Sequence, residues 1–198
     1  SITFSWGDSI NASEAINSGE IDITTVGIED GQTITATIQT NNLFSTVFDN
    51  SATIIVGSNI INSLNDGLHI VSVNVSDIAG NNTSLNKTFI KDTTFPSIVD
   101  ISFSWGSILN INESISSGNI FITTSGIENN QVLRVNIDGS EFLNTVYNNF
   151  SNIVIPTTKL QSLIDGSYNV TINVSDVAGN SITETTSFLV DKTTPIID

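Results

Sequence analysis

Carboxylates are the residues in this sequence whose number and placement could do chemistry together. Twenty Asp and Glu stand against five Lys and Arg, a formal net charge of -15 over 198 residues. There is no Cys and one His, His69, so thiolate sites, thiol nucleophiles and any site needing two imidazoles are excluded. Grouped carboxylates bind hard cations or act as acid–base pairs. The candidates are Asp92 and Asp100 at the ends of a central Pro-containing stretch, Glu128 and Asp176 in turns, and Asn129 and Asn180 beside them. Glu29, which matches Glu128 in the repeat described below, joins them, with Glu14 and Asp66 as further candidates. Carboxylates gathered at one place repel unless something neutralises them. Ca²⁺, with six to eight oxygen ligands, suits such a set; Mg²⁺ keeps its own waters, and transition metals want nitrogen or sulfur. No contiguous Ca²⁺ loop of the EF-hand type occurs. The plain alternative is that Asp at strand ends makes turns and caps.

The elements that must position these acids are strands. Ile, Val and Thr make up about a third of the chain, and these are strand formers. Hydrophobic residues at 38% are enough for a core. No run of eighteen apolar residues exists, so no membrane-spanning helix is expected. The shortage of Lys and Arg argues against nucleic acid and against an anionic membrane surface. No positively charged leader with a cleavage site is seen in this stretch.

A repeat organises the chain. Shifted by 99 residues, Ile2-Thr3-Phe4-Ser5-Trp6-Gly7 falls on Ile101-Ser102-Phe103-Ser104-Trp105-Gly106, and Val75-Ser76-Asp77-Ile78-Ala79-Gly80-Asn81 falls on Val174-Ser175-Asp176-Val177-Ala178-Gly179-Asn180. About 40 of the 99 pairs are identical and no gap is needed. Two copies of one domain follow, 1–95 and 96–198, joined by a short linker at about 93–100. The frame suggests an excerpt from a longer array, though two complete copies would look similar. Alternating apolar and polar residues predict strands at about 2–6, 20–26, 32–39, 43–48, 52–57, 68–76 and 84–91, each with a partner 99 further on. Seven short strands in about 95 residues is the arithmetic of an immunoglobulin-like sandwich. The expected fold is therefore all-β, two tandem immunoglobulin-like β-sandwich domains arranged end to end. Running the strands up and down puts the loops at 27–31 and 77–82 at one end. The loops at 7–19, 39–42 and 58–67 fall at the other, where Asp92 exits. End-to-end stacking would then gather Asp92, Asp100, Glu128 and Asp176 around the junction.

The pairing of Asp-x-Ala-Gly-Asn before the last strand with Asp-x-Thr-x-Pro after it resembles the bacterial immunoglobulin-like repeats of giant surface adhesins, the biofilm-associated and RTX-type adhesins. The match covers both copies. The resemblance implies an extracellular rod of tandem sandwiches, stiffened by Ca²⁺ at the junctions, that holds a terminal binding module away from the cell. Carried over, the linker acids Asp92 and Asp191 and the turn acids Asp77 and Asp176 become the ligands. Family linkers commonly read Asp-Thr-Thr-Ala-Pro; here Phe95 and Thr194 replace the Ala.

Other classes are weaker. His69 matches Tyr168, so its position asks for a ring rather than for proton transfer. The acids recur at equivalent turns and no long loop interrupts either copy, which argues against an enzyme. Trp6 and Trp105 could bind a sugar, but strand alternation puts each on one face with Phe4 or Phe103, as in a core. The Asn-x-Ser/Thr triplets carry little weight in a chain this rich in Asn, Ser and Thr. The partners expected are neighbouring repeats of the same chain, in a monomer. A carbohydrate- or protein-binding module, or cadherin-like self-association, is the alternative.

Overall fold

Burial alternates strictly along Gly19–Thr24 and Ser51–Val56, as strands with one face on a core and one in water require. The computed structural model describes residues 1–197, and the chain divides into two units, the first ending at Thr94 and the second beginning at Phe95.

The first unit runs β1 (Ile2–Phe4), β2 (Ser9–Ile10), α1 (Ala12–Ala15), β3 (Gly19–Thr24), β4 (Thr33–Ile38), β5 (Asn41–Thr46), β6 (Ser51–Val56), α2 (Ser58–Ser63), β7 (Gly67–Ser76) and β8 (Asn82–Lys91). A three-stranded sheet, β1-β3-β6, faces a five-stranded one, β2-β8-β7-β4-β5. The second unit repeats this with β9 (Ser97–Phe103), β10 (Ile108–Leu109), a 3₁₀ turn (Glu113–Ile115), β11 (Gly118–Ser125), β12 (Val132–Ile137), β13 (Ser140–Thr145), β14 (Phe150–Ile155), α3 (Thr157–Ser162), β15 (Gly166–Ser175) and β16 (Ser181–Val190). Its sheets are β14-β11-β9 and β10-β16-β15-β12-β13. Each unit has its own core, from Ile21, Ile34, Ile54 and Val71 in the first to Ile120, Leu133, Ile153 and Val170 in the second.

The seven strands expected per copy are present. The stretches 7–19 and 58–67, expected as loops, carry more order than that. The short β2 pairs parallel with β8. Asn11 and Glu14 then form a capping box: the Asn11 side chain accepts from the Glu14 N–H, and Glu14 Oε2 accepts from the Asn11 N–H at 3.0 Å. Glu14 thus caps a helix. Residues 58–63 form α2, which closes that end of the sandwich with the buried Ile61.

The rings are structural. Phe4 and Trp6 stack, with Phe89 edge-on to both, and Phe103, Trp105 and Phe188 repeat the cluster. Gly19 and Gly118 lie so close to the faces of Trp6 and Trp105 that a methyl group there would overlap the indole. His69 Nε2 lies 2.8 Å from the Asn65 carbonyl with its ring on Phe89. In the second unit the Tyr168 hydroxyl accepts from the Ile164 N–H instead.

Candidate functional site

Two acidic loops meet at one end of each unit. In the β7–β8 connection, Gly80 takes φ +90°, which lets the chain turn back within four residues. Asp77 seals the turn, accepting from the Asn81 N–H and the Asn81 side-chain amide, both at 2.7 Å. These bonds, the Asn81 amide first, hold the Asp77 carboxyl below its ordinary value of 3.8. The second unit repeats the device. Asp176 Oδ1 accepts from the N–H groups of Gly179 and Asn180 at 2.8 Å, and Oδ2 accepts from the Asn180 amide at 2.9 Å.

The β3–β4 loop reaches across to this turn. Glu29 Oε2 accepts from the Ile78 N–H at 3.1 Å, and Glu128 Oε2 accepts from the Val177 N–H at 2.9 Å. The same pair of loops is therefore tied in both units by residues 49 apart in sequence. Asn129 Oδ1 is used within the unit, accepting from the Asn148 N–H. The two turns differ in burial: Asp176 and Asn180 are 4% and 3% exposed, whereas Asp77 is half-buried and Asn81 exposed.

At the opposite end, the strand that leaves each unit is held by another carboxylate. Asp66 accepts from the N–H of Thr93 at 3.1 Å and from its hydroxyl at 3.0 Å. Burial would raise the Asp66 pKa, but these Thr93 bonds, with the Lys91 charge and Thr94, outweigh it and hold the group below 3.8. Asp165 does the same with the Thr193 hydroxyl and the Lys192 N–H and is lowered for the same reason, the hydroxyl bond first. The linker acids fold onto their own chain: Asp92 Oδ1 accepts from the Thr94 N–H, and Asp191 Oδ1 from the Thr193 N–H. Asp100 sits on β9 opposite Thr123 and shares a shallow groove with Glu184.

A lysine ammonium lies in the same region of each unit. Lys91, 6% exposed, donates from Nζ to the Leu64 carbonyl at 2.6 Å and the Asn62 carbonyl at 3.4 Å. Lys192 donates to the carbonyls of Leu163, Gln161 and Leu160 at 2.6, 3.1 and 2.8 Å. Leu163 and Gln161 are the 99-residue counterparts of Leu64 and Asn62, but Lys192 is the counterpart of Thr93, not of Lys91. One carbonyl cluster at the end of a short helix is capped from two different chain positions. Residue-by-residue comparison of the copies hides this, because at each position only one copy has a lysine.

The turn acids carry oxygen donors suited to a hard cation. The backbone and amide groups that Asp176 accepts from are neutral, and the ion pairs Lys87–Asp8, Arg134–Glu141 and Lys159–Asp138 lie elsewhere in the two units. Each oxygen of a carboxylate can accept more than one bond, so acceptor capacity remains on Asp176 and Glu128. Among the described residues no three His, Asp or Glu side chains gather as a metal-binding group. Within the second unit, two carboxylates and an amide, Asp176, Glu128 and Asn180, lie on the two tied loops.

No protein-family model matches the chain, and no curated protein does. Solved structures do. A Ca²⁺-stabilized adhesin that helps an Antarctic bacterium reach out and bind ice is matched with a TM-score of 0.54 at 23% identity, over 98% of this chain and 49% of that one. The chain has a tandem immunoglobulin-like fold. Two further matches are a 1.5-MDa bacterial ice-binding adhesin (TM-score 0.47, 21% identity, 94% of this chain and 62% of that one) and a tetra-tandem repeat from the extending region of a large adhesion protein (0.41, 19%, 96% and 50%). Over nearly its whole length the chain shares its fold with part of a bacterial adhesin. It spans about half the length of the first of these solved chains. No helix among the described residues is long and apolar enough to cross a membrane.

Proposed function

We propose that this chain is a spacer from a large bacterial surface adhesin: immunoglobulin-like repeats that hold a binding module at a distance and are stiffened by extracellular Ca²⁺. The observation that carries the reading is the duplicated pair of tied acidic loops, Glu29 with the Asp77 turn and Glu128 with the Asp176 turn. An enzyme has no need of the same carboxylate pair twice, 99 residues apart. A rod built by repetition needs it at every joint.

Asp176, Glu128 and Asn180 would supply part of the shell in the second unit, and Asp77 and Glu29 would do so in the first. The linker acids Asp92 and Asp191, with Asp100, are the further donors, and backbone carbonyls and water would complete six to eight oxygens. Bound Ca²⁺ supplies charge neutralisation. The protein's part is to hold the carboxylates at fixed turn positions, which the Asn81 and Asn180 bonds do before any ion arrives. Weak extracellular sites have dissociation constants of about 10⁻⁴ to 10⁻³ M, so such joints would fill outside the cell and stay empty in the cytosol.

Small-angle scattering in EDTA and in millimolar Ca²⁺, with melting temperature, tests the reading. A longer maximum dimension and a higher melting temperature in Ca²⁺ are expected. Both responses should be lost in Asp176→Ala and reduced in Asp92→Ala. An unchanged profile in Ca²⁺ would leave the acids as turn formers and the repeats as a passive spacer.

A further inference from the structure

The outer face of one sheet changes character between the two units. In the first, β3 and β6 present Glu20, Asp22 and Thr53 to solvent, and the Thr53 hydroxyl donates to Asp22 Oδ1 at 2.7 Å. The 99-residue counterparts on β11 and β14 are Asn119, Phe121 and Asn152, and Ser51 becomes Phe150. Both carboxylates are gone from these positions and two rings have arrived. Phe121 and Phe150 lie with centroids 6.3 Å apart and planes within 20° of parallel. Across the tight turn that precedes β14, Tyr147 and Phe150 exchange two backbone hydrogen bonds, so their side chains leave on the same face. Tyr147 is 65% exposed, Val154 56% and Phe150 44%.

Nothing in the fold requires these rings, because the first unit builds the same sheet without them. They also leave a polar group unmet. Asn152, opposite Phe121 in the sheet, has a buried side-chain carbonyl oxygen with no hydrogen-bond partner, whereas Thr53 and Asp22 satisfy each other. The patch is small: its few hundred Å² of apolar surface falls well short of the about 800 Å² per partner that a stable protein interface buries. Its flanks are the amides of Asn119 and Asn152 and the phenol of Tyr147, neutral groups that both donate and accept. In a chain of net charge -15, positions that exchange two carboxylates for rings and amides, with neither lysine nor arginine, suit an uncharged ligand. Asp100, across Thr123 from Phe150, is the acid left on β9, where it can accept from hydroxyl groups.

We infer that the face of the second unit built on Phe121, Tyr147 and Phe150 is a platform for a neutral polysaccharide. Pyranose rings with equatorial hydroxyls present flat C–H faces that pack on aromatic rings, while their rims hydrogen-bond to amides, phenols and carboxylates. Cellulose-type glucose chains are the simplest such polymer. An open sheet face takes the polymer from the side and needs no chain end. The contact uses neither the acidic turns nor Ca²⁺, so it stands or falls apart from the stiffening proposed above. It would give a spacer a hold of its own on a glycan matrix.

Affinity electrophoresis in EDTA, through gels that contain hydroxyethyl cellulose, tests the assignment. The chain should be retarded. A triple variant that installs the first unit's residues, Phe121→Asp, Asn152→Thr and Phe150→Ser, should bind at least about tenfold more weakly. The first unit already carries that set on the same scaffold, so the variant keeps its fold. The reverse graft, Glu20→Asn, Asp22→Phe, Ser51→Phe and Thr53→Asn, should increase retardation, since Phe48 already stands exposed at the position of Tyr147. Nuclear magnetic resonance shifts induced by cellohexaose should map to Phe121, Tyr147, Phe150 and Asn152. Migration that the polymer leaves unchanged, or retardation that survives the triple variant, would overturn the assignment. So would self-association of the chain that the triple variant abolishes, because the rings would then face a second copy.

Discussion

Lys91 and Lys192 show how a buried cation can serve as a structural part. Each ammonium is held by peptide carbonyls at the end of a short helix, so dipoles meet its charge directly, while Asp66 or Asp165 feels it at longer range. Replacing Lys91 by Met keeps the stem but removes the donor from the Asn62 and Leu64 carbonyls. The expected loss is about 1–3 kcal/mol in the first unit, read as a lower urea midpoint, and Lys192→Met should act in the same way on the second. A double variant that moves the lysine, Lys91→Val with Thr93→Lys, should recover much of the loss, because the second unit already uses that arrangement. Gly118 gives a sharper case: Gly118→Ala would drive a methyl group into the Trp105 ring. Such overpacking costs about 1–3 kcal/mol or more, and near-ultraviolet dichroism of the tryptophan should change with it.

Among elements, the turns and exits are fastened by carboxylates, which makes them sensitive to acid. Asp66, Asp77 and Asp165 all titrate below 3.8 in the folded chain. A depressed carboxyl pKa means that the folded state holds its proton less well than the unfolded state. The stability it contributes is present above the ordinary carboxylate value and is lost as pH falls through the folded value. The urea midpoint should therefore hold from neutral pH to about 5 and decline below about 4. In Asp66→Asn part of that decline should vanish, together with some stability at neutral pH, because Thr93 loses a charged acceptor. If the variant and the parent decline in parallel, Asp66 is not among the groups responsible. The tight turn between β5 and β6, closed by the Phe48–Ser51 bridge, adds a conformational fastening. Asp49 and Asn50, and in the second unit Asn148 and Asn149, take positive φ of 48° to 59°, the pair of left-handed residues a tight two-residue hairpin demands.

For the whole molecule, repetition is the dominant fact. Two sandwiches with separate cores should unfold as separate units, each with its own midpoint, and Lys91→Met should move one while leaving the other in place. If Ca²⁺ binds with the affinity proposed, an ion concentration ten times the dissociation constant adds RT ln 11, about 1.4 kcal/mol, to the unit that holds it. For a domain of this size that is a rise of about 5–10 °C in melting temperature, absent in EDTA. The high negative charge adds a second effect: repulsion between like-charged chains keeps them soluble, and salt should relieve it.

Much of this was legible in the sequence. Composition and period-two alternation determined the all-β class, because strand formers that alternate have no helical face to bury. The 99-residue shift determined the duplication without gaps, and the pairing of His69 with Tyr168 pointed to a ring that packs. The tertiary structure decided what depends on residues far apart in the chain. It made Glu14 a helix cap, since capping requires a helix at 12–15 too short to show a period. It joined Glu29 to Ile78 and Glu128 to Val177, because two loops meet only once both sheets are formed. It gave two lysines at unmatched positions the same carbonyl cluster, since a long side chain can reach one place from more than one point on a strand.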